Sequence, residues 1–216
     1  MKSETDVVII GTGIAALAHA LKISSDKRVL ILTKDKVPST NSAMAQGGIA
    51  AVIDKSDHFS NHIEDTLVAG AGLCRNEAVH NYIEQAPERI NDLINWGVQF
   101  DADLTREGGH SFRRILHLED HTGAEIHKKL WLRIQERPNI SILENHFAID
   151  LLVNKKIDPS YIGPTAITGV YVLNKITSEV KIIKAKATIL ATGGAGKVYR
   201  YTSNWSGATG YCRTRN

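Results

Sequence analysis

The period of apolar positions changes several times near the start of the chain, and those changes outline its first unit. Four apolar β-branched residues, Val7 to Ile10, run directly into Gly11 and Gly13. From there Ile14, Leu17, Ala18 and Leu21 recur at helical spacing, and a second apolar run, Arg28-Val-Leu-Ile-Leu-Thr33, follows. The pattern predicts a buried parallel strand, a tight turn, a helix and a second strand: a βαβ unit of about 30 residues.

Two helical segments come next. Asp57 to about Gly70 is amphipathic, and Asn76 to Gly97 carries Ala78, Tyr82, Ile83, Ala86, Ile90, Leu93 and Ile94 at spacings of three and four. Pro87 within the second pattern predicts a kink or two shorter helices, and Gly97 is a natural stop. Thr122-Gly-Ala-Glu125 reads as a capping box opening a helix with Ile126, Leu130, Trp131 and Ile134 on one face, ending before Pro138. Beyond it the pattern is β: a strand within Asn139–Asn154, a hairpin of Ala166–Leu173 with Glu179–Lys184, and a buried strand from Ala187 into Thr192-Gly193-Gly194.

Composition narrows the class. Hydrophobic residues make up 43% and charged residues 23% of the 216, with a net charge of +3, ordinary for a soluble globular protein. Basic residues are scattered. Groups such as Lys27-Arg28 and Arg113-Arg114 lack interleaved aromatics and read as solvated faces, which excludes a nucleic-acid surface. Cys74 and Cys212 are the only cysteines, far apart, so a disulfide framework or zinc ribbon is not expected and the compartment is reducing. The amino terminus is short and acidic, and no window approaches the roughly 20 apolar residues a membrane span needs, so the expected location is cytoplasmic.

Candidate chemistry centres on the first glycines. Gly11, Gly13 and Ala16 occupy the three positions of G-x-G-x-x-G/A: the first for the turn, the second for close approach of a pyrophosphate, the third for helix–strand packing. The helix N-terminus then offers free N–H groups to a diphosphate. The second strand should end in an acid to hold a ribose hydroxyl but ends Thr33-Lys34-Asp35, so Asp35 reaches round, or Lys34 and the backbone do that work differently. The small-residue run from Val37 to Val52, with Gly47 and Gly48, can wrap backbone around a planar ligand or form a surface loop. Phe100 to His117, with mixed charges, paired glycines and imidazoles, has the composition of a binding loop. His117-Leu-Glu-Asp-His121 fits neither order of the zinc-hydrolase helix motifs, and no metal is expected. His19 reads as structural, and His110 serves either as a substrate-loop residue or as a hydrogen-bonded structural one.

Taken together, GTGIAA near the start, Ser42-Ala-Met-Ala-Gln-Gly-Gly48, Thr105-Arg-Glu-Gly-Gly-His-Ser111 with Arg113-Arg114-Ile-Leu-His117, and Ala191-Thr-Gly-Gly194 resemble the L-aspartate oxidase branch of the fumarate reductase and succinate dehydrogenase flavoprotein family, from about Asp6 to Gly210. The resemblance implies an α/β fold: a Rossmann-like FAD-binding domain of the glutathione-reductase type with a β-rich insert, incomplete and lacking the capping domain. It implies FAD-dependent oxidation of L-aspartate to iminoaspartate in NAD biosynthesis, with oxygen or fumarate as electron acceptor and quinolinate synthase as the enzyme that takes the product. By the same resemblance Thr12, Gly13, Ile14 and Ala15 hold the diphosphate and Lys34 the adenosine side. Asn41, Ser42, Ala43, Met44, Ala45, Gln46, Gly47 and Gly48 hold the flavin and its linker. Ile149 and Thr192, Gly193 and Gly194 line the adenosine and pyrophosphate channel. Asn41 stands where covalent members carry the flavin-bonded histidine, so FAD is expected to be noncovalent. Glu107 orients the substrate through the α-ammonium of aspartate.

The family's other substrate-holding groups, an arginine and histidines, belong to segments beyond this chain, so the chain alone is expected to be inactive. Alternatives are a fragment of a fumarate-reducing or succinate-oxidising flavoprotein, or a flavin-binding piece without turnover. Residues 1–210 read as the amino-terminal portion of the FAD-binding domain. The family continues A-T-G-D-G, whereas Ala208-Thr-Gly210 is followed by Tyr211-Cys-Arg-Thr-Arg-Asn216, a non-family tail that suggests truncation or a frame error in the gene.

Overall fold

The computed structural model describes residues 4–210; the tail expected at 211–216 lies outside the described residues. In chain order the elements are β1 (Glu4–Ile10), α1 (Ile14–Lys22), β2 (Val29–Leu32), β3 (Ile49–Ala50), α2 (Phe59–Ala69), α3 (Asn76–Asn95), β4 (Ile115–Leu116), α4 (Thr122–Gln135), β5 (Ile140–Leu143), β6 (His146–Val153), α5 (Asn154–Ile157), β7 (Ile167–Asn174) and β8 (Val180–Leu190). They fall into two compact units. The described residues up to Ala43, together with those from Leu130 onward, form one; Met44–Lys129 form the other, and the division falls within α4.

The first unit is built on a mixed six-stranded sheet, ordered β5-β2-β1-β8-β7-β6. β1 pairs in parallel with both β2 and β8, as the βαβ pattern requires. The sequence pattern places a hairpin strand at Glu179–Lys184 and a separate buried strand from Ala187. The structure joins them into a single strand, β8, which pairs antiparallel with β7 over Val180–Lys184 and parallel with β1 over Lys184–Leu190. A change of partner along one continuous backbone leaves no turn residue to mark it. The second half of β8 is also less buried than expected, with Leu190 44% exposed.

Alternation along the strands sends Val8, Ile10, Leu30 and Leu32 to one face. There they cluster with Val170, Val172, Ile183 and Ala185 of β7 and β8, with Leu143, Ala148 and Leu151 packed against the cluster. The antiparallel strands thus supply side chains to the core of the parallel ones. Ile9 and Ile31 point to the other face and are fully buried, as are Ala16, Leu17 and Ala20 of α1. The buried face of α1 therefore runs Ala16-Leu17-Ala20-Leu21, while Ile14 and Ala18 of the expected stripe are half-buried.

In the second unit α2 and α3 pack through Ile63, Val79 and Ile83, with Leu67 and Cys74 against them. Of the two outcomes expected at Pro87, the split into two shorter helices does not occur: α3 is one helix of 20 residues. Proline removes a single N–H from the helical ladder, and the buried residues Val79 and Ile83 before it and Ile90 and Leu93 after it anchor the helix on both sides of it. Tyr82, 77% exposed, and Ile94 fall off that stripe. Gly97, at φ +95, closes α3 as expected: its N–H donates to Ile94 O at 2.8 Å and the Val98 N–H to Leu93 O at 3.0 Å, a Schellman motif. The capping box at Thr122 does not form. The His121 carbonyl accepts the Glu125 N–H at 3.1 Å, which makes His121 the N-cap. The Thr122 hydroxyl instead accepts the Leu118 N–H at 2.9 Å.

Candidate functional site

In the first unit a cavity opens at the carboxyl ends of β1, β2 and β8, the position where open parallel sheets bind ligands. Its walls come from Gly11, Thr12 and Gly13 after β1, from Thr33 and Lys34 after β2, and from Thr192, Gly193 and Gly194 after β8. Ser39 to Ser42, His146 to Ala148, and Trp205, Gly207 and Ala208 complete it.

Each glycine has its own reason. A Cβ on Gly11, at φ +119, would lie 2.2 Å from the Ala191 carbonyl oxygen, so only glycine lets the turn pass the end of β8. Gly13 is the N-cap of α1 and brings no capping side chain, which leaves the first turn of the helix open to an anion. Of that turn, the Ile14 N–H donates to Ser42 Oγ at 3.3 Å. Cβ atoms on Gly193 or Gly194 would meet nothing within 4 Å among the described residues, so these glycines border space that those residues leave open.

The sequence left two ways of holding a ribose open. Asp35 is committed elsewhere: it accepts from Lys175 Nζ at 2.8 Å and does not line this cavity. Lys34 lines the cavity, donates to the Gly207 carbonyl and to Thr209 Oγ1, and lies over the Trp205 ring with its Nζ 5.6 Å from the centroid. Asn41 is tied to the same segment, its Oδ1 accepting the Trp205 N–H at 2.9 Å. His146 Nδ1 donates to the Glu144 carbonyl at 2.6 Å, which leaves Nε2 as the second polar atom of the ring. Nε2 is buried and without a hydrogen-bond partner among the described residues. An uncapped helix N-terminus, empty space beside two glycines and an orphaned ring nitrogen at the wall fit a dinucleotide cofactor.

Ile149, expected in the channel, is the extra residue where the β6–β7 register shifts between Ala148 and Asp150. It is 39% exposed, and its neighbours Phe147 and Ala148 line the cavity instead. His146, Phe147, Ala148, Trp205 and Gly207 are among the wall residues that the sequence pattern did not single out. An aromatic amid turn residues, followed by Ala208-Thr-Gly210, is the signal that could have found Trp205 and Gly207.

The remaining candidates belong to the second unit. Met44, Ala45, Gln46 and Gly47 are exposed. Gly48 packs so tightly that a Cβ would sit 2.2 Å from the Leu116 carbonyl, at the β3–β4 pair. A Cβ on Gly47 would sit 3.3 Å from Glu107 Oε1, which puts the exposed Glu107 carboxylate beside the glycine pair.

Glu107 and His110 lie on a loop closed at its base by Thr105 pairing with Ile115. The loop is held by a residue assigned to a solvated face from sequence. Arg114 is 0% exposed. Its guanidinium donates from Nε to Asp57 Oδ2 at 2.7 Å, from Nη2 to Asp57 Oδ1 at 3.0 Å and from Nη1 to Asp65 Oδ2 at 2.6 Å. Burial acts to raise the Asp57 and Asp65 carboxyls, but the bonds from Arg114, and from the His58 and Ser111 N–H groups respectively, hold both below the usual carboxylate range. Burial, with Arg114 and His110 nearby, pushes the His62 imidazole down, and that ring lies 5.5 Å from the His110 ring.

Comparison with known proteins places these features. The chain is 44% identical over 213 residues to L-aspartate oxidase 1 of Ralstonia nicotianae, covering 95% of this chain and 39% of that one. It is 43% identical over 218 residues to L-aspartate oxidase of Pseudomonas aeruginosa, covering 95% and 40%. This chain therefore spans about two-fifths of the length of these curated relatives. Among solved structures it superposes on E. coli quinol fumarate reductase FrdA with a TM-score of 0.85 at 29% identity, covering 96% of this chain and 36% of that one. A Mycobacterium smegmatis Sdh1 complex superposes with a TM-score of 0.84 at 27% identity, covering 95% and 36%. The fold is the FAD-binding domain of the fumarate reductase and succinate dehydrogenase flavoproteins, and its cofactor is FAD. The family described as FAD binding domain matches residues 6–212, and with the glycine turn, the uncapped helix and the cavity already in place, the chain belongs to it.

Proposed function

We propose that this chain supplies the FAD-holding part of an L-aspartate oxidase, which converts L-aspartate to iminoaspartate for NAD biosynthesis in the cytoplasm. The observation that carries the reading is the 43–44% identity, over 95% of the chain, to relatives named L-aspartate oxidase. In the net reaction aspartate loses two electrons and two protons from its Cα–N unit, and oxygen or fumarate takes them up as hydrogen peroxide or succinate. Quinolinate synthase is the proposed consumer of the product. When bound, FAD supplies the two-electron chemistry.

The chain's own residues bind and orient. The turn from Thr12 into the first residues of α1, up to Ala16, faces the diphosphate with N–H groups and the positive end of the helix dipole. Lys34 serves the adenosine side, with Phe147 and Ala148 at the wall where Ile149 was expected, Thr192 to Gly194 leave room for the pyrophosphate, and Asn41 to Gly48 carry the flavin and its linker. A carboxamide at Asn41, whose oxygen already accepts from Trp205, supports noncovalent attachment. Glu107 offers a carboxylate to the α-ammonium of aspartate, a partner that succinate lacks.

Adding FAD to the purified chain, removing the excess and then adding L-aspartate without oxygen tests the reading, with succinate as control. Retained flavin absorbance bleached by L-aspartate and not by succinate is the expected result for a competent oxidase. Retention without bleaching restricts this chain to cofactor binding. Loss of the flavin at the desalting step overturns the role given to the glycine turn.

A further inference from the structure

We propose that Arg114 is a positioning residue for the substrate loop, and that it fixes His110 as the Nε2–H tautomer, a hydrogen-bond donor for a carboxylate oxygen of the substrate. The inference rests on the aspartate reading, since it gives His110 a dicarboxylate to hold.

A guanidinium has five N–H donors and no acceptor. At Arg114 all five have a partner. Nε and Nη2 take the two Asp57 oxygens, and Nη2 also reaches Ser111 Oγ at 3.4 Å. Nη1 takes Asp65 Oδ2 and faces His110 Nδ1 at 3.3 Å. Because the arginine can only donate, His110 Nδ1 must accept, and the ring proton resides on Nε2. The tautomer of a histidine that sequence reading left without a defined role thus follows from the donor count of its neighbour.

The same clamp reaches the rest of the loop. Ser111 donates from its N–H and its hydroxyl to Asp65 Oδ2, both at 2.8 Å, so the residue after His110 is locked to the acid that Arg114 holds. The His110 N–H returns to the Glu107 carbonyl at 3.3 Å. With Gly109 at φ +86 this is the pattern of a type II turn, with glycine where φ must be positive. Glu107 and His110 are therefore the two ends of one turn, one acidic and one a neutral donor. They suit the ammonium and a carboxylate of the same small molecule. Arg114 is given no contact with the substrate; it acts through His110, Ser111 and Asp65.

The test uses the full chain labelled with 15N-histidine, with His110→Gln to identify the resonance. Nitrogen–proton correlations through the ring report which nitrogen carries the proton. The expected result is an Nε2–H tautomer in the wild type, a mixture in Arg114→Lys, and a shift of the Nε2 resonance on adding succinate or L-aspartate. Binding of succinate or L-aspartate to the chain, read by isothermal titration calorimetry, is expected to weaken about tenfold in His110→Phe and to be mostly restored in His110→Gln, which keeps an N–H donor. An Nδ1–H tautomer in the wild type overturns the proposal, as does an unchanged tautomer in Arg114→Lys or the absence of a ligand shift. The wild-type measurement decides the tautomer even if Arg114→Lys does not fold. A chain that loses its flavin on desalting while succinate and L-aspartate still shift His110 would count against the FAD-holding reading and leave this one standing.

Discussion

The two units hold their candidate residues by different means. In the first, the cavity wall is largely backbone and small side chains: Gly11 passing under the Ala191 carbonyl, the open first turn of α1, and Gly193 and Gly194 beside empty space. In the second, the loop with Glu107 and His110 depends on side chains that meet from α2, the residues before it and the loop's own end: Asp57, Asp65, Ser111 and Arg114. Backbone geometry tolerates changes that keep glycine where glycine is needed. A buried charge network tolerates almost none, because removing one ion leaves its partner uncompensated in a dry place.

The sharpest way to break this contrast is Arg114→Met, which strands Asp57, itself only 5% exposed. A loss of about 3–5 kcal/mol in denaturant unfolding is expected, and a loss below about 1 kcal/mol would mean that the network is not the anchor described. Next comes Gly11→Ala, which combines a φ of +119 with a Cβ 2.2 Å from a carbonyl oxygen. It should cost about 3 kcal/mol and release FAD.

The pH dependence sharpens the account of the second unit. His62 has a folded pKa below its ordinary 6.5, so its contribution is fully present above pH 6.5 and is lost as pH falls below that value. Asp57 and Asp65, depressed below their ordinary 3.8, keep contributing until pH falls past that value toward their folded pKa values. Stability measured from pH 7 to 5 should therefore decline in the wild type and decline less in His62→Gln; parallel curves would remove His62 from the account. The smallest effect on stability is expected for Gly194→Ala, whose new methyl meets nothing within 4 Å. Unfolding should move by no more than about 0.5 kcal/mol, while FAD affinity, read by flavin fluorescence, should fall. Unchanged affinity would place the cofactor away from Gly194.

The features legible in the sequence were local ones. The βαβ unit, the glycine turn, the helix stop at Gly97 and the run to Gly194 each declare themselves within a few residues, through a period or a residue with special backbone freedom. Where the reading went astray, a non-local effect won. Pro87 sits in a continuous α3 because packing on both sides holds it, and the Thr122 hydroxyl serves Leu118 in place of its own helix.

The sequence by itself determined the βαβ unit and its cofactor-binding turn, because hydrophobic period and glycine conformation are properties of neighbouring residues, and its motifs carried the family resemblance. Only the tertiary structure decided that β8 is one strand with two partners, that Asp35 answers to Lys175, that Trp205 walls the cavity, and that Arg114 is buried. Arg113 and Arg114 are adjacent and identical in type, yet one is exposed and the other wholly enclosed. Composition cannot tell them apart, since what separates them is the pair of aspartates that the fold brings to Arg114 from 57 and 49 positions away.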